Sequence, residues 1–254
     1  MKTLTLLFWV TFIVFPLTCF SAQKQTANIS QTETKTIYLE HFDSIDSEMV
    51  FDIEVVKSNE EKAVIKSNYI DFVEISVENK VLKIDYKRGQ SMENVDAKIV
   101  VYAKNLTSVT AKTASVVRIK DNFTIEKFDV ESAGKIFGDS NAKKILITAQ
   151  SAGAVKGTMN TESLILNTRS GSTVDIQGKI AKAIISSEQA SKITATKADI
   201  HEAIVTAGSA SSVHLSISKE LTASASSLAK IRYKTLSGIK FSASRSSRGT
   251  IDSI

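Results

Sequence analysis

Small and apolar residues recur with a period of 19 positions in the second half of the chain. Each copy holds a polar or small residue, two small residues, a variable residue and a β-branched residue, as in Ser132–Ile136 and Ser151–Val155. A fixed period of this length is typical of a solenoid, in which each repeat is one coil that buries its apolar face by stacking on its neighbours. The eight copies are spaced by 19, 19, 19, 19, 20, 18 and 19 residues, and they begin at Thr113, Ser132, Ser151, Ser170, Gln189, Ser209, Ser227 and Ser246.

Four positions of each copy share one parity and form four columns along the predicted solenoid. Counted from the first residue of the copy as zero, they are −4 (large apolar), −2 (small), +2 (small) and +4 (β-branched). Because side chains alternate between the two faces of a strand, we expect the four columns to face inward together. The last copy carries polar residues in these columns, which predicts a polar terminal cap made of Ser242, Ser244, Arg248 and Thr250.

The region before the repeats has the two-residue alternation of short β-strands and no helical periodicity. The Asn79-Lys80 pair is a predicted tight turn between two of these strands. Leucine-rich and helical repeats are excluded because their residue signals are missing. We therefore predict an all-β protein: a single-stranded, right-handed parallel β-helix of about 19 residues per rung and about eight turns, preceded by N-terminal β-strands. The predicted N-terminal strands are Thr36–Glu40, Met49–Val56, Lys62–Ser67, Phe72–Glu78, Val81–Tyr86 and Ala97–Tyr102.

The first 21 residues have the pattern of a secretory signal peptide. Lys2 precedes an apolar run, Leu4–Leu17, that is followed by small residues. An uncleaved anchor and a lipoprotein acylated at Cys19 remain alternatives. We expect a bacterial protein exported to the periplasm, the cell surface or the medium. The predicted organisation is a signal peptide over 1–21, a flexible leader over 22–35, a β-strand region over 36–105 and the repeats over 106–254, with 36–254 forming one continuous domain.

The remaining composition narrows the chemistry of the mature chain. Cys19 is the only cysteine of the sequence, so the chain after residue 21 has no disulfide, thiolate nucleophile or cysteine metal site. The net charge is +5, from 32 basic and 27 acidic residues that are interspersed, which argues against a nucleic-acid partner. We predict no cofactor, no metal and no stable transmembrane span. The oligomeric state is left open.

Several N-terminal motifs, in the order in which they occur, resemble a known family. The motifs are His41–Ile45, Phe72–Asp85 and Ile99–Leu106, followed by the Ser-Ala-Gly and Ser-Gly-Ser repeats. Together they resemble the auto-transporter adhesin head GIN domain, a family of secreted bacterial proteins of largely unknown function, over about residues 36–251. The resemblance implies a β-helix-like all-β fold and an exported protein.

One outward row of side chains is the candidate binding site. It lies five residues after the start of each copy and mixes charged and aromatic groups. The consecutive acids Glu60 and Glu61, in a polar turn of the N-terminal region, are interpreted instead as a solubility feature. The predicted function is that of an exported, non-enzymatic β-solenoid, an adhesin-like binding protein whose partner is a glycan or a cell-envelope protein. The candidate binding residues are Arg118, Phe137, Lys156, Asp175, His214 and Arg232.

The alternative function is a polysaccharide lyase or hydrolase on the same flank. It would use Arg118, Lys156, Asp175, His214 and Arg232 for acid–base work. These residues span six rung steps, about 29 Å at 4.8 Å per rung. Only Lys156 and Asp175 would be direct neighbours, and catalysis needs groups that converge on one substrate atom.

Overall fold

The 19-residue repeats form coils that stack through parallel strands. The computed structural model describes residues 32–89, 91–235 and 238–254, which hold twenty strands and one 3-10 helix, Ile70–Phe72. The strands are β1 Glu33–Tyr38, β2 Ser44–Ser47, β3 Asp52–Lys57, β4 Lys62–Ser67, β5 Val73–Glu78, β6 Val81–Tyr86, β7 Ala97–Ala103, β8 Ser108–Ala111, β9 Val116–Ile119, β10 Lys127–Val130, β11 Lys135–Phe137, β12 Ser140–Asn141, β13 Lys144–Ala149, β14 Ala154–Thr168, β15 Thr173–Ser187, β16 Lys192–Ala207, β17 Ser212–Ala225, β18 Lys230–Thr235, β19 Lys240–Arg245 and β20 Thr250–Ser253.

The small residues at the start of each repeat form a tight turn at one corner of the coil. Ser132 and Ala133 have φ angles of 50° and 64°, and the N–H of Gly134 donates to the carbonyl of Glu131 at 2.9 Å. Two consecutive residues in the left-handed region define a type I′ turn. The predicted turn at Asn79-Lys80 is confirmed, since it has the same conformation, with φ angles of 52° and 62°.

The corners of successive coils are also hydrogen-bonded to one another. The N–H of Ala133 donates to the carbonyl of Ser151, and the N–H of Ala152 donates to the carbonyl of Ser170, each at 2.9 Å. We call this series the corner ladder. It continues the β-ladder through the turns, so that the corner, like the strands, is held by its neighbour along the axis.

Close contact between coils explains the small residues two positions after the turn begins. A Cβ atom added to Gly153 would lie 2.8 Å from the carbonyl oxygen of Val130, which is shorter than real contacts. In later coils this position is serine, and its buried hydroxyl finds a carbonyl: Ser172 donates to Ala149 at 2.8 Å and Ser211 donates to Ser187 at 2.7 Å. Small size and satisfied hydroxyls together let this corner stay buried.

The four predicted columns face the core in the first seven repeats, which confirms the parity of the pattern. Phe128, Ile147, Ile136 and Val174 are each 0% exposed, and the small residues of the two middle columns are buried between them. Burying one such large apolar side chain contributes about 1.5–3 kcal/mol relative to leaving it in water. The narrow core is therefore the main source of stability along the stack.

The coil stack begins earlier in the chain than the repeat pattern predicts. Strands β2 and β3 form a coil in register with the first repeat, with Ile45 opposite Val109 and Ile53 opposite Val117. Strands β6 and β7 add a further layer on the other side of β2 and β3. The region over 36–105 thus supplies two layers of the same stack. Along the axis, the layer of β6 and β7 comes first, then that of β2 and β3, then that of β8 and β9, so the order of layers differs from the order of the chain.

The N-terminal end of the stack is covered by antiparallel strands. Strand β1 pairs with β4, β4 pairs with β7, and β5 pairs with β6, all antiparallel. Strand β1 begins at Glu33, inside the predicted leader. The predicted signal peptide, with Cys19, and most of the predicted leader lie outside the described residues. In the described part of the chain, no helix has the length and hydropathy needed to cross a membrane.

The predicted polar cap at the C-terminal end is wrong by one position. The last turn has its positive φ angles at Ser247 and Arg248, so this copy starts at Ser247, and Ala243 pairs with Ala223 of the preceding coil. The sequence pattern could not distinguish the two registers, because Ser246 and Ser247 are both serine and either fits the first position of the copy. The core columns therefore hold Ala243, Arg245, Gly249 and Ile251, in place of the predicted Ser242, Ser244, Arg248 and Thr250.

Candidate binding groove

The predicted outward residues form one continuous row on the surface. Neighbouring members are cross-strand partners on successive parallel strands from β9 to β18, with Thr194 filling the remaining rung. Every member is exposed or half-buried. We call this row the outer column; it consists of Arg118, Phe137, Lys156, Asp175, Thr194, His214 and Arg232.

A groove of about 430 Å³ lies along the first half of the outer column. Its lining includes Arg118, Phe137, Lys156 and Asp175, whereas His214 and Arg232 lie outside it. The fold thus brings four of the six predicted binding residues to one concavity. The groove is completed by residues that follow the outer column along the chain, among them Gly138, Asp139, Gly157 and Lys197.

Two glycines allow the backbone of consecutive coils to approach at the floor of the groove. A Cβ atom on Gly157 would lie 1.8 Å from the carbonyl oxygen of Gly138, and a Cβ atom on Gly138 would lie 2.7 Å from Cδ1 of Ile119. Any side chain at either position would force the coils apart. The floor is therefore bare backbone beside the Phe137 ring.

The Phe137 ring is the apolar element of the groove. It is 36% exposed, and the guanidinium of Arg118 lies 5.6 Å from the ring centroid. Arg118 also forms an ion pair with Asp52, which fixes the cation from the opposite side. An aromatic face with a charged rim can stack on the C–H face of a sugar while polar groups bond to its hydroxyls.

Lys156 and Asp175, the charged groups of the outer column in the groove's centre, are paired and open to solvent. Lys156 Nζ lies 3.5 Å from Asp175 Oδ2, and their side chains are 67% and 46% exposed. Such a pair is weak in water and offers a donor and an acceptor to a ligand. Below it, the carboxylate of Asp139 accepts the N–H of Thr158 at 2.6 Å, and the amide of Gln177 donates to the Thr158 hydroxyl at 3.1 Å.

His214 lies further along the outer column in a more positive environment. Partial burial lowers its pKa below the ordinary value of 6.5, and the nearby charges of Arg232 and Lys192 lower that pKa further. Nε2 lies 3.4 Å from the Ser212 hydroxyl. The surroundings of the side chain thus disfavour the protonated imidazole, which lies outside the groove. In the described part of the chain, no cluster of three or more His, Cys, Asp or Glu is placed to hold a metal ion.

The sequence pattern missed several residues that shape this surface. Gly138, Gly157 and Lys197 carry no local signal, because their importance comes from contacts between coils. Glu60, one of the two acids interpreted as a solubility feature, is exposed and pairs with Lys62 at 2.7 Å, and its interpretation stays a prediction. The same interpretation is wrong for Glu61, whose side chain is 5% exposed and pairs with His41.

Several solved structures have a similar architecture at low sequence identity. A putative adhesin from Parabacteroides merdae is 17% identical, with 90% of this chain and 98% of that one covered and a TM-score of 0.75. A putative adhesin from Parabacteroides distasonis is 14% identical, with 89% and 98% covered and a TM-score of 0.78. A protein from the same organism described as a putative lipid binding protein is 16% identical, with 88% and 96% covered and a TM-score of 0.70. At these identities the likeness establishes the fold.

The family comparison covers most of the chain. No curated protein matches the sequence, but the profile of one family, described as "Putative auto-transporter adhesin, head GIN domain", matches residues 41–235. That range includes the N-terminal coils, the groove and the outer column. The protein is therefore a member of the auto-transporter adhesin head GIN domain family.

Proposed function

We propose that this protein is an exported, non-enzymatic adhesin-like binding protein, acting at the bacterial cell surface or in the periplasm, and that the groove beside Phe137 binds an extended glycan. Membership of an adhesin family supports a binding role. The signal-peptide pattern over 1–21 supports export.

The observation that carries the glycan assignment is the exposed Phe137 ring above a glycine floor. The ring, the backbone of Gly138 and Gly157, and the Lys156–Asp175 pair supply one apolar face and several hydrogen-bonding groups in a shallow, open groove. Sugars present the same combination of C–H faces and hydroxyls. An open groove along a stack of regularly spaced rungs also suits an extended ligand made of repeating units.

The charged groups favour binding over turnover. The Lys156–Asp175 pair is exposed on both sides, and His214 and Arg232 lie outside the groove. Acid–base catalysis needs a positioned acid and base within hydrogen-bond reach of one substrate atom. A ligand in the groove would instead meet a mutually neutralised pair.

Binding to an immobilised panel of neutral and acidic polysaccharides tests the proposal, with the protein truncated after the predicted signal peptide. Phe137→Ala is expected to lower the affinity for the bound glycan about fivefold or more, since stacking on an aromatic ring contributes on the order of 1–3 kcal/mol. Phe241→Ala is the matched control, because Phe241 is similarly exposed, at 40%, and lies outside the groove. Equal binding by the wild type and both variants would remove the groove from the proposal.

Two further measurements address turnover and location. Release of reducing ends or unsaturated products from the same panel, abolished by Asp175→Asn, would replace the binding proposal by an enzymatic one.

Cell fractionation of the native host should recover the protein in the envelope or the medium. Recovery in the cytoplasm alone would contradict export.

A further inference from the structure

Positive charge is segregated along the face that carries the outer column. Three cations of the groove have an acidic partner: Arg118 pairs with Asp52, Lys120 Nζ lies 3.0 Å from Glu54, and Lys156 pairs with Asp175. The fourth, Lys197, forms no ion pair among the described residues, but the same lining holds the carboxylate of Asp139. This half of the face is close to neutral.

Beyond Thr194 the same face is cationic. Lys192, Ser212 and Lys230 are successive cross-strand neighbours, and His214 is the neighbour of Arg232 in the adjoining column. Among the described residues, Lys192, Lys230 and Arg232 form no ion pair. We call Lys192, His214, Lys230 and Arg232 the cationic patch. Its side chains are exposed, except for the half-buried His214, and they spread over two rung steps, about 10 Å.

The surroundings of His214 report the positive potential of the patch. On β16 the imidazole faces Lys192 and Thr194, and on β18 it faces Lys230 and Arg232. No carboxylate of these strands faces it. Arg232 and Lys192 lower the pKa of His214 in addition to the effect of burial. The nearest acids of this column are Asp175 and Asp252, and each lies two rung steps from His214, beyond Thr194 and Arg232 respectively.

We propose that the cationic patch binds the carboxylate or sulfate groups of an acidic glycan whose neighbouring sugars occupy the groove beside Phe137. The inference rests on the proposed function and names the chemical class of its ligand. Phe137 and His214 lie on one column, four rung steps apart, or about 19 Å. The planar fork of Arg232 matches a carboxylate or sulfate in two hydrogen bonds, and the two lysines and the Ser212 hydroxyl supply further donors.

The patch also makes binding depend on pH. An anion beside His214 favours the protonated imidazole, so binding raises the pKa of His214 from its lowered value. By linkage, affinity for the acidic ligand increases as the pH falls through this range. A neutral glycan in the groove would not show this increase.

The test compares polygalacturonate fragments with the same fragments after methyl esterification of their carboxylates, at low salt. The wild type is expected to bind the acidic form about tenfold or more tightly than the ester, which corresponds to one or two charge-assisted hydrogen bonds. The variant Lys192→Gln/Arg232→Gln should lose this preference and still bind the ester. Lys66→Gln/Lys98→Gln, a cross-strand pair on distant strands, removes the same charge and should keep the preference.

Each outcome separates the patch from the groove. Equal affinity for acid and ester would overturn the inference and leave the proposed glycan groove standing. A preference that survives in Lys192→Gln/Arg232→Gln would also overturn it. Binding of neither form, with no binding to sulfated dextran, would defeat the inference and the proposed function for these glycans together. Tighter, patch-dependent binding to phosphatidylglycerol vesicles than to either polymer would assign the patch to a lipid and overturn the glycan assignment.

Discussion

Nδ1 of His41 lies 3.0 Å from Oε1 of Glu61, and this contact satisfies a carboxylate that is only 5% exposed. Lys104 Nζ lies beside the same carboxylate, at 3.8 Å from Oε2. The pair joins the segment before β2 to the start of β4, and so fastens the N-terminal layers to one another.

Removing this contact should destabilise the N-terminal layers. We expect His41→Ala to lower the free energy of unfolding by about 1 kcal/mol, because a buried carboxylate loses a hydrogen-bond partner. Urea denaturation measures the change. In a Glu61→Gln background the same substitution should cost clearly less, and an equal cost in both backgrounds would mean that the pair is not coupled.

The parity of the core columns can be tested at two adjacent residues of β15. Val174 is 0% exposed and Thr173 is exposed. Val174→Asp should cost several kcal/mol, because it buries an unpaired charge, whereas Thr173→Asp should change stability by about 0.5 kcal/mol or less. Similar shifts of the melting temperature for the two variants would contradict the inward assignment.

Backbone conformation, rather than space, limits the corner at Gly171. This residue has a φ of 71°, and an added Cβ would meet no atom within 4 Å. Gly171→Val should therefore destabilise the protein by about 1–2 kcal/mol through the left-handed conformation alone. Gly171→Ala should cost less, as alanine occupies the equivalent corner at 133, 152 and 190. If valine proved as stable as glycine, as judged by thermal melting, strain at the corner would be refuted.

The lowered pKa of His214 gives the folding stability a defined pH dependence. In the unfolded chain the imidazole binds a proton at its ordinary pKa of 6.5, above that of the folded state. The unfolded state therefore binds more protons in this window, and the free energy of unfolding falls as the pH drops from 6.5 through the lower folded pKa. Denaturant titrations from about pH 5 to about pH 7.5 should show a smaller loss for His214→Asn than for the wild type. Parallel curves would rule out this contribution.

We expect Arg245 to protect the C-terminal edge of the stack against pairing with another chain. It occupies a core column of the last coil, where its guanidinium donates to the carbonyl of Ile251 at 2.7 Å. A charge that points toward the core side of an edge strand disfavours pairing with another chain. Arg245→Val should increase concentration-dependent association in analytical ultracentrifugation, whereas Arg245→Lys should remain like the wild type. Unchanged behaviour of the valine variant would show that the edge is protected by other means.

The sequence was sufficient for the coils whose turns carry small residues. Pairs such as Ser151-Ala152 mark the corner, and the columns around them follow from alternation alone. The coil of β2 and β3 lacked that signal, because its corner is Met49 and Val50, and its stacking partner in the repeats lies about sixty residues later.

The candidate site was likewise predictable from the sequence only in part. The row from Arg118 to Arg232 is set by period and parity, so the pattern was enough to align it. The groove depends on how closely the chain at Gly138 and Gly157 approaches between coils, and the buried Glu61 depends on a partner twenty residues earlier. Contacts of this kind are made only by folding and leave no mark in a local pattern.

The corner ladder means that such a protein changes length in whole coils. Each corner donates to the next through the same atoms, so a duplicated or deleted unit of one full repeat would leave every neighbouring bond and every column in place. A shorter insertion adds no layer: the spacings of 20 and 18 residues are absorbed by register shifts between β15, β16 and β17, and the later columns still face the core. Duplication of whole repeats would therefore lengthen the binding face in steps of about 4.8 Å. A longer ligand would be matched by duplicating a segment and not by redesigning a site.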